Sequence, residues 1–287
     1  MHASTARVLP YLKLTGIDPS QVVIDLTDAQ SLGLRSRRDR MHFPARLLYD
    51  LELARIEHSE RALARNFPHV VVTSEADRQE LGSETVSIIR NGVDLTRFPY
   101  ADTEREERRI VMTGNMGYQP NIDGALWFAE RVWPRIRARY PNARWSVVGA
   151  RPALALRSLD GQDGIEVLGQ VEDLGAHLRH ATIAIAPILC GAGIQNKVLE
   201  AFASGTPVVA TSFANEGVQA KHGEHLMIAD EPEAFAAAIA ALFADPAMRL
   251  SLASRAHAFV EETLTWEAHV LQLEHIYASI AANRKVR

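Results

Sequence analysis

The stretch APILCGAGIQNKVLEAFASGTPVVAT, residues 186–211, decides the fold class. An apolar strand ends at Pro187, a glycine-containing loop follows, and a helix predicted over Asn196 to Ser204 leads into a second apolar strand at Val208. Strands that are separated by a single helix pair in parallel through a right-handed crossover. This unit therefore predicts an α/β protein with a parallel sheet that is covered by helices on both faces.

The same alternation of strands and helices begins at Arg109. Asn121 is expected to cap the helix after the first strand, because asparagine is a favoured residue at that position. The predicted strands are Arg109 to Thr113, Arg144 to Val148, Ile165 to Leu168, Thr182 to Pro187 and Val208 to Thr211, and helices follow over Pro232 to Ala244, Pro246 to Leu264 and Glu267 to Ala282.

The first 98 residues contain fewer elements. Strands are predicted at Val22 to Leu26, His69 to Thr73 and Ser87 to Arg90, with a long helix over Pro44 to Arg65. Three strands are too few for a complete doubly wound sheet, so this domain is expected to be incomplete. The polar stretch Asp94 to Glu107 predicts a boundary. We expect an N-terminal domain over 1–98, a second domain over 99–265, and a C-terminal helix over 266–287 that packs back toward the first domain.

Composition narrows the class of protein. The 31 basic and 35 acidic residues give a formal charge of −4, which disfavours bulk nucleic acid as the main partner. The longest apolar run, Ile183 to Leu189, is far short of the roughly 20 residues that span a bilayer. Cys190 is the single cysteine and has no disulfide partner in the chain. These features predict a cytoplasmic protein.

Lys197 and Glu200 are the strongest candidates for chemistry. Lys197 lies in the first turn of its helix, where a cation is unfavourable unless an anion such as a phosphate is bound there. Glu200 lies three residues later on the same face and could accept hydrogen bonds from sugar hydroxyls. The alternative is a Lys–Glu surface pair worth a few tenths of a kcal/mol. The residues alone favour neither interpretation.

Several motifs then resemble one family. NKVLEAFASGTPVVAT (196–211) and NGVDLTRF (91–98) resemble segments of glycosyltransferases of the GT-B fold, GT4 type (glycosyl transferases group 1). MTGNMGYQPN (112–121), GQVED (169–173) and ANEGV (214–218) resemble a subgroup associated with bacterial exopolysaccharide, and the motifs occur in the order found in the family. The resemblance implies two Rossmann-like domains with parallel sheets, the N-terminal one incomplete here. It also implies a nucleotide-diphosphate sugar as donor, no metal, and retention of anomeric configuration.

The resemblance assigns roles to individual residues. Glu200 matches a ribose-binding glutamate, and Lys197 matches a lysine at the diphosphate. Val171 lies where backbone groups meet the base. Residues implied to line the donor are Gly114, Asn115 and Met116 after the first strand, and Gly193, Ile194, Gln195 and Asn196 before the helix.

Three positions depart from the family pattern. Ala192 stands where many relatives carry a sugar-binding glutamate, and the first loop lacks a basic pair, which leaves the donor sugar open. Asp28 falls near the position of a catalytic-site histidine and is a catalytic candidate. Two alternatives to a glycosyltransferase follow: a nucleotide-sugar-binding remnant without transferase activity, and a UDP-sugar epimerase of GT-B-like fold.

Partners are predicted from the same features. The stretch Arg35 to Arg65 holds eight arginines and five acidic residues. This excess could contact anionic lipids at the inner face of the plasma membrane, where lipid-linked acceptors are found, although a solvated helix surface is the alternative. The acceptor is expected to be a glycan or lipid-linked, and a homo-oligomer or another partner could cover the incomplete domain.

Overall fold

The computed structural model contains two parallel sheets in two units. It describes residues 1–4, 11–12, 14, 16–38, 43–101, 105–191 and 193–285. The N-terminal unit comprises Met1–Asn91, Cys190–Ile194 and Trp266–Arg287, and the C-terminal unit comprises Gly92–Leu189 and Gln195–Thr265. The division after Asn91 falls earlier in the chain than the predicted boundary after Phe98.

The sheet of the N-terminal unit has four parallel strands in the order β1-β2-β3-β4. The strands are β1 (His2–Ser4), β2 (Val23–Thr27), β3 (His69–Val72) and β4 (Ser87–Ile88), and the helices are α1 (Gln30–Arg38), α2 (Ala45–Asn66), α3 (Glu75–Leu81) and α12 (Trp266–Lys285). The prediction of three strands was wrong by one, because β1 is only three residues long and lacks strand-forming side chains. Its pairing with β2, in which Ala3 lies opposite Ile24, defines it.

The core of this unit lies between the sheet and its helices. Ile24 of β2 and Val70 and Val72 of β3 are almost completely buried against Leu63 of α2 and Leu81 of α3. Helix α3 begins where the Ser74 side chain accepts a hydrogen bond from the Asp77 N–H, and it ends at Gly82 in the left-handed conformation.

The sheet of the C-terminal unit has six parallel strands in the order β10-β9-β8-β5-β6-β7. The strands are β5 (Arg109–Thr113), β6 (Arg144–Val148), β7 (Ile165–Gly169), β8 (Ile183–Ala186), β9 (Val208–Ala210) and β10 (Met227–Ile228), and the helices are α4 (Gln119–Trp127), α5 (Trp133–Arg139), α6 (Leu154–Arg157), α7 (Leu174–His180), α8 (Asn196–Ala203), α9 (Ser212–Asn215), α10 (Pro232–Ala244) and α11 (Pro246–Thr263). A π-helical segment, Phe128–Val132, joins α4 to α5. The predicted α/β class with parallel sheets is confirmed.

Counted from β5, the strands of this sheet follow the order 3-2-1-4-5-6 of the Rossmann fold. Strands β5 and β8 are neighbours. The chain continues from β5 toward one edge of the sheet, through β6 and β7, and from β8 toward the other edge, through β9 and β10. A crevice opens at such a switch point, outside the carboxyl ends of the strands, and ligands bind there in open α/β sheets. The topology therefore selects the loops after β5 and β8 as the candidate site.

The start of α4 differs from the prediction. Helix α4 begins after Tyr118, and Asn121 is a buried residue inside its first turn that hydrogen-bonds to the preceding loop, so the predicted cap at Asn121 was wrong.

Among the described residues, no single helix has the length and apolar composition to cross a bilayer; α10 and α11 pass that test only as a pair, which is bent by 104°.

Candidate functional site

Two glycines lie at the switch point, where the backbones of two loops come close together. Gly114 follows β5 and Gly149 follows β6, with φ angles of 146° and 148°. A Cβ atom placed on Gly149 would lie 1.6 Å from the carbonyl oxygen of Gly114. The two backbones therefore touch, and only glycine fits at position 149 without moving the loop after β5.

The loop after β5 is held by hydrogen bonds within the C-terminal unit. Asn121 Nδ2 donates to the Asn115 carbonyl (2.9 Å), and the Met116 N–H donates to the Ala150 carbonyl (2.8 Å). Met116 is fully buried, whereas Asn115 is exposed. Of the three predicted donor-binding residues in this loop, Gly114 and Asn115 thus present accessible groups. The side chain and amide of Met116 are both engaged inside the protein.

Lys197 of α8 lies directly over this loop. A Cβ atom on Gly114 would be 3.3 Å from Lys197 Cε, so the two predicted donor-binding segments meet. Lys197 Nζ donates to Gln195 Oε1 (2.8 Å). Burial lowers the pKa of Lys197 to about 8, and the neighbouring Glu200 carboxylate opposes that shift. This lysine is a desolvated cation that an anionic ligand would stabilise.

Glu200 lies one helical turn after Lys197. Burial raises its pKa, while the positive charges of Lys197 and Arg97 act in the opposite direction. Arg97 was not among the predicted site residues. Its position in the segment NGVDLTRF is visible in the sequence, but only the folded chain reveals that this arginine, 103 residues earlier, acts on Glu200.

The amino end of α8 suits an anion. Gln195 occupies the N-cap position without a capping side-chain hydrogen bond from the described residues, and the first turn contains no acidic residue. By contrast, Asp173 caps α7 and Asp245 caps α11 with their carboxylates. The positive end of the α8 dipole and the Lys197 ammonium therefore act on the same space.

Val171 follows β7, a strand that lies two positions from β5 in the sheet. Neighbouring strands lie about 4.8 Å apart, so the ends of β5 and β7 are about 10 Å from each other. Val171 is half-buried.

The predicted residue Asn196 is the first residue of α8 and belongs to the C-terminal unit. The predicted residues Gly193 and Ile194 group with the N-terminal unit, as does Asp28. A Cβ atom on Gly193, which has a φ of 73°, would lie 1.9 Å from Asp28 Oδ1. The Asp28 carboxylate accepts a hydrogen bond from Thr73 Oγ1 (3.0 Å). Burial raises the pKa of Asp28, and the nearby Asp25 carboxylate adds to the shift. Position 192, where Ala192 replaces a family glutamate, lies outside the described residues.

Two buried carboxylates hold the chain next to Asp28. Asp77 accepts from the Ala29 N–H (2.9 Å), and Glu60 accepts from the Gln30 N–H (2.7 Å) and from the Ser31 side chain. These carboxylates occupy the amino end of α1, so that helix end is already satisfied by the protein itself. Thr27, just before Asp28, has a φ of 63°, an uncommon conformation for a β-branched residue.

Ion pairs engage several arginines of the basic stretch. Arg35 contacts Glu57 and Glu80 (both 2.5 Å), and Arg38 contacts Asp50 (2.6 Å). Exposed leucines lie on α2 instead: Leu47, Leu48 and Leu51. Within the described part of the chain, no group of three or more His, Cys, Asp and Glu side chains is placed to hold a metal ion.

Two relatives are similar in sequence to this chain over most of its length. An uncharacterised 44.6 kDa protein in the cps region of Klebsiella pneumoniae is 25% identical over 228 residues, which are 76% of this chain and 58% of the relative. A phosphatidyl-myo-inositol mannosyltransferase of Mycolicibacterium smegmatis is 28% identical over 71% of this chain and 54% of its own length. The chain thus spans little more than half the length of these relatives.

The fold is shared with solved structures. Sucrose-phosphate synthase from Thermosynechococcus elongatus superimposes with a TM-score of 0.76 over 98% of this chain and 73% of that one, at 18% sequence identity. This likeness confirms the predicted GT-B-like fold. Residues 107–245, which include β5, β8 and α8, match the family model described as Glycosyl transferases group 1. The switch-point site therefore lies in the part of the chain that is similar to the Glycosyl transferases group 1 family.

Proposed function

We propose that the protein transfers a sugar from a nucleotide-diphosphate sugar to a glycan or lipid-linked acceptor in the synthesis of a bacterial surface polysaccharide. One observation carries the proposal: the side chain of Lys197 lies over Gly114 at the switch point of a Rossmann sheet, at the amino end of α8. A desolvated ammonium, a helix amino end and a glycine at the start of the facing loop together suit a diphosphate.

The reaction depends on the leaving group. The bond between the anomeric carbon and the donor's phosphate oxygen breaks, and the bond to an acceptor hydroxyl oxygen forms as that hydroxyl loses its proton. The nucleoside diphosphate then leaves with an additional negative charge. Lys197 and the amide groups at the start of α8 would stabilise this charge, which lowers the barrier because the stabilisation grows as the bond breaks. In this proposal no metal ion is needed at the diphosphate.

Glu200 would bind the ribose. Its carboxylate lies one turn deeper along α8 than Lys197, so a diphosphate at Lys197 places the adjoining ribose hydroxyls near it. Arg97 favours the ionised, hydrogen-bond-accepting form of Glu200. The base would extend toward Val171, about two strand spacings from β5. We infer retention of anomeric configuration from the family resemblance.

Asp28 is proposed as a catalytic residue on the strength of its environment. Its carboxyl group is half-buried, its pKa is raised, and the backbone beside it is fixed by Asp77 and Glu60. Burial and the nearby Asp25 raise the pKa of this carboxyl group, which makes Asp28 a stronger base than a free aspartate and suits it to proton transfer. Asp28→Asn should lower kcat while leaving UDP binding unchanged, since the nucleotide is assigned to the C-terminal unit.

The acceptor side is supported by the relatives. One of them is named for transfer of mannose to phosphatidyl-myo-inositol, and the other lies in a cps region. We therefore propose a lipid-linked or glycan acceptor and a peripheral contact with the cytoplasmic face of the membrane. Since ion pairs engage Arg35 and Arg38, this contact would rest chiefly on the exposed leucines of α2.

A thermal-shift screen of UDP, GDP and ADP, with and without their common sugars, tests the donor site. We expect one nucleotide to stabilise the wild type and to have little effect on Lys197→Ala or Glu200→Ala. Lys221→Ala is the matched control, because Lys221 is an exposed lysine of the same unit, paired with Glu224. If no nucleotide shifts the wild type, the proposed donor site is wrong.

Product analysis separates transfer from the two alternatives. Release of nucleoside diphosphate that depends on an added acceptor supports the glycosyltransferase. Binding without release, across lipid and glycan acceptors, would support a nucleotide-sugar-binding remnant. Conversion of the donor sugar without an acceptor would support an epimerase.

A further inference from the structure

A cavity of about 540 Å³ lies in the C-terminal unit, at the amino ends of its central strands. Three of its lining residues each directly precede a strand: Arg108 before β5, Thr182 before β8 and Pro207 before β9. The volume is in the range of cavities that bind small molecules.

This cavity is distinct from the donor site proposed above. The donor site lies at the carboxyl ends of β5 and β8, on the opposite edge of the same sheet. Strand β5 has five residues, and a strand rises about 3.3 Å per residue, so the two edges are about 17 Å apart. One ligand at the switch point would not fill both.

The first wall of the cavity is rigid. The Tyr100 ring packs against Gly205 so closely that a Cβ atom on Gly205 would lie 2.6 Å from the ring. The Arg105 guanidinium ties this wall to the carboxyl ends of two helices. Its nitrogens donate to the carbonyls of Leu178 (3.2 Å), Arg179 (2.8 Å), Ala181 (2.9 Å), Gly205 (2.5 Å) and Ala101 (3.3 Å). Arg105 therefore cross-links segments of the protein, and we do not assign it a role in binding a ligand.

The second wall is apolar and comes from α10 and α11. Phe243 lies near the end of α10, and Leu250 and Ala253 lie in the first two turns of α11. Leu250 is 49% exposed, although it faces a concave surface. Leu250 and part of Phe243 offer a hydrophobic surface that the rest of the fold leaves uncovered, whereas Ala253 is buried.

Two guanidinium groups on the lining are available to a ligand. Arg249 donates through Nη1 to the carbonyls of Leu242 (2.5 Å) and Phe243 (3.3 Å), while its Nε and Nη2 donate to no group in the described part of the chain. Burial lowers the pKa of Arg249, although the Asp245 carboxylate opposes the shift. The Arg108 guanidinium lies 5.2 Å from the Tyr140 ring centroid and pairs with no carboxylate among the described residues.

The acidic residues on the lining do not cancel these charges. Glu106 is paired with Arg109 at 2.7 Å. Glu107 is the other carboxylate among the lining residues that the structure describes. Among the described lining residues, two available cations against one available anion give an excess of positive charge beside the apolar wall.

We propose that this cavity binds an organic anion, in which a phosphate or carboxylate contacts Arg249 and Arg108 while an aromatic or aliphatic body packs against Phe243 and Leu250. Charge-assisted hydrogen bonds from guanidinium groups orient the anion, and burial of the apolar body adds affinity. The rigid wall formed by Arg105 and Tyr100 reduces the ordering needed on binding.

Titration calorimetry with four probes tests this site: phenyl phosphate, benzoate, inorganic phosphate and phenol. Phenyl phosphate or benzoate should bind at least tenfold more tightly than both inorganic phosphate and phenol, since only the first two combine charge and an apolar body. Whichever of the two binds more tightly identifies the anionic group. Equal affinity for inorganic phosphate and phenyl phosphate, or no binding of either organic anion at millimolar concentration, would overturn the proposal.

Variants locate the probe. Arg249→Gln and Leu250→Glu should each weaken binding of the organic anion at least tenfold; Leu250→Glu changes a half-exposed side chain, so it remains a fair test if Arg249→Gln perturbs folding. Arg255→Gln is the matched control, because Arg255 lies on the same helix, α11, but is hydrogen-bonded to Ser251 and does not line the cavity. Lys197→Ala should also have no effect, and this test does not depend on the proposed function. Binding that requires Lys197, or that ignores both cavity variants, would contradict the assignment.

Discussion

The aliphatic chain of Lys197 lies against Gly114, with 3.3 Å between Lys197 Cε and the position of a Cβ atom on Gly114. The contact joins the loops after β5 and β8, which are 83 residues apart in sequence but adjacent at the switch point. It also explains why the lysine is desolvated. Burial destabilises the charged form of Lys197 in the free protein. An anionic ligand would stabilise that charged form and would bind more tightly as a result.

This arrangement predicts a pH dependence of nucleotide binding. The pKa of Lys197 is about 8, and the diphosphate favours the protonated form, so affinity should fall as the pH rises above 8. The loss approaches tenfold per pH unit. Titration of UDP, or of the nucleotide selected by the screen, between pH 7 and 9.5 measures it; phosphate groups, with a second pKa of about 6, are already ionised there.

Two variants of Lys197 control this measurement. Lys197→Arg keeps a charge at every pH in the range, so its binding curve should be flat. Lys197→Ala should bind weakly and with no pH dependence. A wild-type profile that persists in Lys197→Arg would assign the titration to another group.

Gly193 should not tolerate a side chain. Gly193→Ala would combine a left-handed φ of 73° with a Cβ atom 1.9 Å from Asp28 Oδ1. Gly82→Ala is the matched control in the same unit, because Gly82 has a φ of 64° and open space around its Cβ position. The control should cost about 1 kcal/mol, and Gly193→Ala should cost at least 1 kcal/mol more. Thermal unfolding measures both.

A double mutant separates the steric contact from backbone strain. Asp28→Ala should recover part of the stability lost in Gly193→Ala, because it removes the atoms that the new methyl group meets. If the two effects simply add, the contact with Asp28 is not the cause of the loss.

Glu60 should make the stability of α1 depend on pH. Burial raises the pKa of this carboxyl above its ordinary value of 4.5, so the folded protein holds the proton more tightly than the unfolded chain. Its contribution is therefore fully present below pH 4.5 and is lost as the pH rises through the folded-state pKa. Relative to Glu60→Gln, which cannot titrate, the wild type should become less stable with increasing pH.

Amide hydrogen exchange in α1 measures this effect locally. Glu60→Gln keeps an acceptor for the Gln30 N–H, whereas Glu60→Ala leaves it unpaired and should cost about 1–3 kcal/mol. A constant difference between wild type and Glu60→Gln across pH 4.5 to 7.5 would mean that Glu60 does not titrate in this range.

Membrane contact should depend on leucines rather than arginines. Leu47 and Leu51 are 54% and 73% exposed on α2, so replacing both by Asp should weaken binding to phosphatidylcholine–phosphatidylglycerol vesicles without loss of stability. Leu271→Asp is the matched control, since Leu271 is 57% exposed on α12. Vesicle flotation gives the bound fraction. Binding that resists the leucine changes and disappears in high salt would assign the contact to the arginines.

Local sequence predicted most elements of the C-terminal unit because its strands are continuous apolar runs. Ile183–Ala186 is buried throughout, as expected for a central parallel strand. Two short strands escaped prediction, His2–Ser4 and Met227–Ile228. Both lie at sheet edges and are defined by hydrogen bonds to a neighbouring strand, which no local pattern encodes.

The sequence by itself determined the α/β class, the family resemblance, and the candidates Lys197 and Glu200. These features depend on periodicity and on residue types close together in the chain. Only the tertiary structure decided that Lys197 lies over Gly114, that Arg97 acts on Glu200, that Met116 is buried, and that acidic partners engage Arg35 and Arg38. The physical reason is that burial and electrostatic pairing depend on distances in space, which are set by strand order and packing between segments far apart in sequence.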